Sequence, residues 1–316
     1  MQLTHVRVDT NRSGYWPAMP FKDPQAITKA GIATGVKKSK LPPAKAIVAG
    51  FLAGAYIAFA GLLATVVSAG LNPDIWGNFG TFITGAVFSL GLILVVLAGS
   101  ELLTGNMALV PMAAMRGQVP FSKIWENFGW VIIGNLIGSL FVAYFLAVET
   151  GVVTGEFPLA RLEGIAHAKG IEETEWQIFL RAMGCNWLVC LAVWMALAAE
   201  DVAGKILAIF FPIMAFVAMG FDHVVANMFF LPAAIFADVP DLTWWDAIHN
   251  WIFAFIGNLV GAVVFVAGAY WFLYGREEDA PHEKAAGDTA RTGRPDSEVQ
   301  LGPDAEAAAD TALSRR

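Results

Sequence analysis

Apolar runs long enough to cross a hydrocarbon core of ~30 Å, which takes about 20 helical residues, recur at 45–69, 80–111, 126–148, 176–199, 205–237 and 248–274. They predict an all-α integral membrane protein with six transmembrane helices. The second and fifth runs are longer than one crossing needs, and each is interrupted by polar residues and glycine: GSELLTGNM at 99–107 and GFDHVVANM at 220–228. The two interruptions align without a gap. Gly99 matches Gly220, Glu101 matches Asp222, Asn106 matches Asn227, Met107 matches Met228, and Leu102 falls opposite His223. A second pair, VIIGNLIGS at 131–139 and AFIGNLVGA at 254–262, follows at a similar offset in each half. Two collinear matches, with three runs in each half, predict an inverted 3+3 repeat whose second and fifth helices are broken. Broken helices at matching places in inverted halves mark a permeation site near the midplane, because irregular backbone at that depth is tolerated only where it lines a cavity or is buried in protein.

Composition supports the membrane reading: 57% of residues are hydrophobic and 15% charged, against about 25% charged in soluble domains. The net charge of -7 resides in loops and in the tail, so it points to no nucleic acid partner. Basic residues alternate in position. Lys37, Lys38 and Lys40 precede the first run and Lys45 begins it, Arg116 and Lys123 follow the second, Lys205 follows the fourth and Arg276 the sixth, while 149–175 is mostly acidic. The excess of positive charge on one side predicts a multi-pass protein of the cytoplasmic (inner) membrane with both termini in the cytoplasm. Three parts follow: a leader at 1–44, with a short surface helix started by Asp23 and Pro24; a channel domain at 45–275; and a polar, Ala-rich tail at 276–316, read as disordered and cytoplasmic. Small residues on the first span, Gly50, Gly54 and Gly61, offer a face for close helix contact between subunits. Cys185 and Cys190 lie five apart in one helical run, point to different faces, and are read as packing residues.

His223 is the one histidine well inside a span, and an ionisable group there is a functional hypothesis by default; the alternative is a neutral structural histidine. Thr104 and Asn258 are candidates to hydrogen-bond it, with Asn186 a further polar group at depth. Glu101 and Asp222 are read as acceptors for backbone amides freed by the two breaks. Lys169 is a lone base among acids, either an ordinary surface lysine or a functional one.

GSELLTGNM, MGCNWLVCLAVWM at 183–195 and MAFVAMGFDHVVANMFF at 214–230 together resemble the formate/nitrite transporter family, and the likeness runs from about Asp23 to Tyr274. The resemblance implies an aquaporin-like fold, a homopentamer with a pore in every protomer, and passage of small monovalent anions or their conjugate acids: formate or nitrite, with lactate and hydrosulfide as further candidates. It places the central histidine at His223 with Thr104, Asn186 and Asn258 around it as a proton relay, and an anion-attracting vestibule lysine at Lys169. It implies constrictions at Phe88, Leu92 and Phe216 on the cytoplasmic side and at Leu102 and Val189 on the outer side. Leu103 stands where formate channels often carry Phe.

An anion forced through rings of Phe and Leu sheds its water at a cost of several kcal/mol even after relaxation. Protonating a carboxylate of pKa ~3.9 at pH 7 costs roughly 4 kcal/mol. The neutral acid is therefore the cheaper passenger, and the expected function is passive or proton-linked anion transport, with no enzymatic activity and no cofactor. Two alternatives stay open. One is a membrane anchor or receptor subunit of a formate/nitrite redox system, with His223 as a haem ligand; the other is an aquaporin-like channel for neutral solutes.

Overall fold

The computed structural model describes residues 21–276, and all the regular structure there is helical. The expected tail beyond Arg276 and the first part of the leader lie outside the described residues. Helix α1 (Pro24–Ser39) starts where Asp23 Oδ1 accepts the Ala26 amide at 2.8 Å and Pro24 takes the first turn. It is less superficial than the sequence predicts. Ile27, Gly31, Ile32 and Gly35 are buried, and a methyl group on Gly35 would sit 2.0 Å from the Leu109 carbonyl oxygen.

The body then comes in two matching sets. The first is α2 (Pro43–Ser68), α3 (Phe79–Ala98), α4 (Leu103–Met115) and α5 (Ser122–Val148). After the connecting helix α6 (Glu156–His167), the second is α7 (Glu175–Ala198), α8 (Val202–Ala218), α9 (Val224–Phe236) and α10 (Trp244–Tyr274). The helices α2, α3, α5, α7 and α10 are each long and apolar enough to cross a membrane. The fifth expected run is divided between α8 and α9, of 17 and 13 residues. The second run is likewise divided, between α3 and α4, of 20 and 13 residues.

Both breaks begin on a glycine in the left-handed region, Gly99 at φ +82° and Gly220 at φ +72°. There any side chain would meet its own backbone, so glycine ends the helix at no steric cost. Close packing also repeats. A Cβ on Gly54 would lie 2.0 Å from the Asn135 oxygen, fixing α2 against α5; one on Gly261 would lie 2.2 Å from the Met183 oxygen, fixing α10 against α7. Gly50 likewise faces α5 and Gly61 faces Phe229, so the small-residue face expected to join subunits is spent inside the protomer. Large apolar side chains such as Phe145, Phe211 and Trp245 point outward, as expected of a surface in contact with lipid rather than water.

Candidate functional site

Each break frees backbone groups at depth, and each is satisfied by one asparagine from the last long helix of its half. Asn135 Oδ1 accepts the Leu103 amide at 3.0 Å, while its Nδ2 donates to the carbonyls of Gly50 and Glu101 at 2.8 and 2.9 Å. Asn258 does the same for Val224, Ala182 and Asp222, at 2.9, 2.8 and 2.9 Å. A second layer holds the acids. Glu101 Oε2 accepts from Lys38 Nζ and Asn106 Nδ2, both at 2.9 Å. Asp222 Oδ1 accepts from Lys169 Nζ at 2.9 Å and Asn227 Nδ2 at 2.8 Å. Asn127 and Asn250 complete the pattern, accepting from those asparagines and donating to the Lys38 and Lys169 carbonyls.

Three expectations change here. Glu101 and Asp222 do not receive the freed amides, because the asparagines already do; each acid instead holds a lysine. Lys169 is therefore no lone base: it is paired with a fully buried carboxylate, its own side chain 13% exposed. Asn258 and Asn186 do not hydrogen-bond the His223 ring, whose partners are Thr104 and the Ala226 amide. Asn258 is committed to the backbone, and Asn186 Nδ2 donates to the carbonyls of Asn258 and Thr104 at 2.8 and 3.2 Å. Both cysteines are free and buried, Cys190 Sγ reaching the Thr104 carbonyl.

Thr104 does meet the histidine, with Oγ1 2.8 Å from His223 Nε2. His223 is also the N-cap of α9, its Nδ1 accepting the Ala226 amide at 3.1 Å. A backbone amide can only donate, so Nδ1 carries the lone pair and the neutral ring carries its proton on Nε2, which donates to Thr104 Oγ1. Both nitrogens are thereby engaged, and neither is offered to a haem iron.

His223 lines a cavity of about 10 Å³ together with Phe88, Leu92, Leu102, Val189 and Phe216. That is room for at most a single water. Phe88 and Phe216 meet edge to face, with ring centroids 6.1 Å apart. A vestibule opens on either side of this pinch. One, of about 230 Å³, carries Lys169, Arg161, Arg181 and Glu173 and ends on Phe88, Phe216 and His223. The other, of about 780 Å³, carries Lys37, Lys38, Lys45 and Lys205 and ends on Leu92 and Leu102. Arg161 donates to Ser68 Oγ at 2.9 Å, and burial lowers its pKa from the ordinary value.

This grouping reverses the sides expected for Phe88, Phe216 and Leu102 and leaves Leu92 on its expected side. Phe88 and Phe216 belong with Lys169, and Leu102 and Leu92 with Lys38. The cause is the direction of travel: α3 starts at the Lys169 vestibule, so Phe88 is reached before Leu92, and α8 starts at Lys205 and ends beside Lys169. Val189 lines only the pinch among these three cavities. Arg181, Glu173 and the Lys38 pairing escape the sequence reading. Asn127 and Asn250 need not have: each stands eight residues ahead of the asparagine of its Ile-Gly-Asn-Leu motif.

Residues 25–272 match the family model described as Formate/nitrite transporter. The uncharacterized transporter YrhG of Bacillus subtilis is 48% identical over 266 residues, covering 84% of this chain and 98% of that protein. The formate channel BtFdhC of Bacillus thuringiensis is 40% identical over 259 residues, covering 82% and 98%. A solved pentameric formate channel with formate bound superposes with a TM-score of 0.65 at 31% identity, covering 74% of this chain and 98% of that one. With its repeated halves, broken helices and paired vestibules, this multi-pass membrane protein of aquaporin-like fold belongs to the formate/nitrite transporter family.

Proposed function

We propose that the protein passes small monovalent anions of weak acids, formate or nitrite, through a pore in each protomer of a homopentamer, and that it is not an enzyme. It sits in the cytoplasmic membrane with both termini inside, so that the Lys38 vestibule faces the cytoplasm and the Lys169 vestibule the outside. The charge pattern supports this orientation: Lys37, Lys38, Lys45 and Lys205 line one vestibule, as the positive-inside rule requires of a cytoplasmic face. A formate channel among its relatives and a pentameric one among the solved structures support the substrate class and the assembly.

The observation that carries the reading is one polar pair, His223 and Thr104, beside a dry pinch between two cationic vestibules. Each vestibule concentrates anions. The pinch then excludes them as ions, since it has no room for their water, and the stripped charge costs several kcal/mol. A proton joined to the anion at His223 removes that cost. In that relay the ring gives its Nε2 proton to the anion and takes one from vestibule water on Nδ1, giving up the Ala226 cap at about 0.5–2 kcal/mol for a lost N-cap, less than the penalty avoided. Proteoliposomes containing the full chain should take up formate and nitrite faster as external pH falls, and should exclude glycerol. Glycerol passage with no anion uptake would favour the neutral-solute channel and overturn the proposal.

A further inference from the structure

Among the described residues one carboxylate lines each vestibule, Glu173 on the Lys169 side and Glu101 on the Lys38 side, but only Glu173 has a second, buried acid beside it, Asp222. Glu173 lies in the extended link between the connecting segment and α7, with its side chain only 6% exposed. Its Oε1 accepts from Arg181. Asp222 is fully buried, and its Oδ1 is taken by Lys169 and Asn227. The other oxygen of each acid, Glu173 Oε2 and Asp222 Oδ2, is buried and receives no N–H or O–H donor among the described residues. The two carboxyls nevertheless lie in hydrogen-bonding contact with each other.

Two ionised carboxylates can only accept, so this contact becomes a bond only when one proton lies between them. Without it, two desolvated anionic oxygens face each other with no donor between them. We propose that Glu173 and Asp222 hold one proton between Glu173 Oε2 and Asp222 Oδ2, and that this proton-binding site sets how strongly the Lys169 vestibule attracts an anion. The second half of the proposal rests on the reading that anions enter here.

The charged and titratable groups facing Glu173 come from every neighbouring element: Asp222 from the break before α9, Lys169 from the turns after α6, and Arg181 from α7. Arg161 and His223 line the same cavity. Burial, and after it the Asp222 carboxylate, pushes Glu173 up to about 8, against the pull of Lys169 and Arg181. At pH 6.5 the pair therefore holds its proton and one negative charge is absent from the vestibule; at pH 9 that charge is present. Anion capture should weaken accordingly, on the order of threefold to tenfold in half-saturation concentration.

Glu173→Gln keeps a donor for Asp222 Oδ2 and cannot ionise. In proteoliposomes its half-saturation for formate should equal wild type at pH 6.5 and be several-fold tighter than wild type at pH 9. Substrate protonation is common to both proteins and cancels in that ratio. An infrared spectrum of the purified full chain reads the proton directly: a carboxylic-acid carbonyl band present at pH 6.5, lost by pH 9.5 with a midpoint near 8, and absent from Glu173→Gln. Equal half-saturation of variant and wild type at pH 9 would overturn the link to capture. A wild-type band that does not titrate in this range would overturn the proton site itself, even where the variant fails to assemble. A titrating band in a protein that moves no anion would leave the site standing and remove the transport reading.

Discussion

The two helix breaks are built from the same parts and hold different contents. On each side a glycine ends the helix, an asparagine ties the freed amide and two carbonyls, an acid binds a lysine, and a further pair of asparagines closes the network. Yet the residue just before the short helix is Leu102 in the first half and His223 in the second, and only the second half adds Glu173 and Arg181. The shared parts have a structural cause: backbone opened at membrane depth must be satisfied by protein or it costs several kcal/mol per group. The differences have no such cause, because Leu102 serves the fold without any polar atom. Function is therefore concentrated where the copies diverge.

The buried ion pairs give the largest expected effect. Asp222→Ala strands Lys169 beside a buried site and should destabilise the protein by about 3–5 kcal/mol, the cost of removing one partner of a buried pair. Glu101→Ala should cost less, since Lys38 and Glu101 keep 16% and 12% of their side chains exposed against 13% and 0% for Lys169 and Asp222. Detergent unfolding midpoints of the two variants check the order. A larger loss for Glu101→Ala would contradict the comparison.

The asparagines sharpen it next. Asn135→Ala and Asn258→Ala each take the partner from one amide in the break, at about 1–3 kcal/mol for a donor left unsatisfied in the interior. Their effects on thermal stability should agree within the error of the measurement. A twofold disparity would show that the two breaks are not equivalent scaffolds.

The repeat is legible in sequence because it reuses the same letters at the same spacing, and the central contact of Thr104 with His223 follows from placing the two breaks face to face. The ion pairs are not legible, since Lys38 and Lys169 stand 63 and 53 residues from the acids they meet and their positions in the chain suggest only topology or a solvated loop. Asn258 is misassigned to the ring for a related reason: a buried asparagine has both a donor and an acceptor to place, and the freed backbone at Val224 and Asp222 claims both. The sides of Phe88 and Leu102, expected from the resemblance alone, are set by the direction of α3, which starts at the Lys169 vestibule and reaches Phe88 before Leu102.

The smallest effect concerns pH and stability. Glu173 is raised from the usual 4.5 to about 8 by burial and by Asp222, so the folded protein holds a proton that the unfolded chain has released. The stability tied to that proton is fully present below pH 4.5 and is lost as pH rises through 8. The unfolding midpoint of wild type should decline over that window, and Glu173→Gln should flatten the decline. An unchanged slope in the variant would assign the decline to other groups.

The central claim is that the divergent residue of the repeat, His223, carries the passage of substrate. Asn in its place keeps a side-chain oxygen for the Ala226 amide, which N-capping favours, and removes the ring proton that meets Thr104. The initial rate of formate uptake into proteoliposomes by His223→Asn, with pentamer content measured in the same preparation, tests this most directly. The account predicts an intact assembly and a rate lower on the order of 10²-fold, the usual worth of a placed proton donor. A correctly assembled variant with the wild-type rate would contradict it.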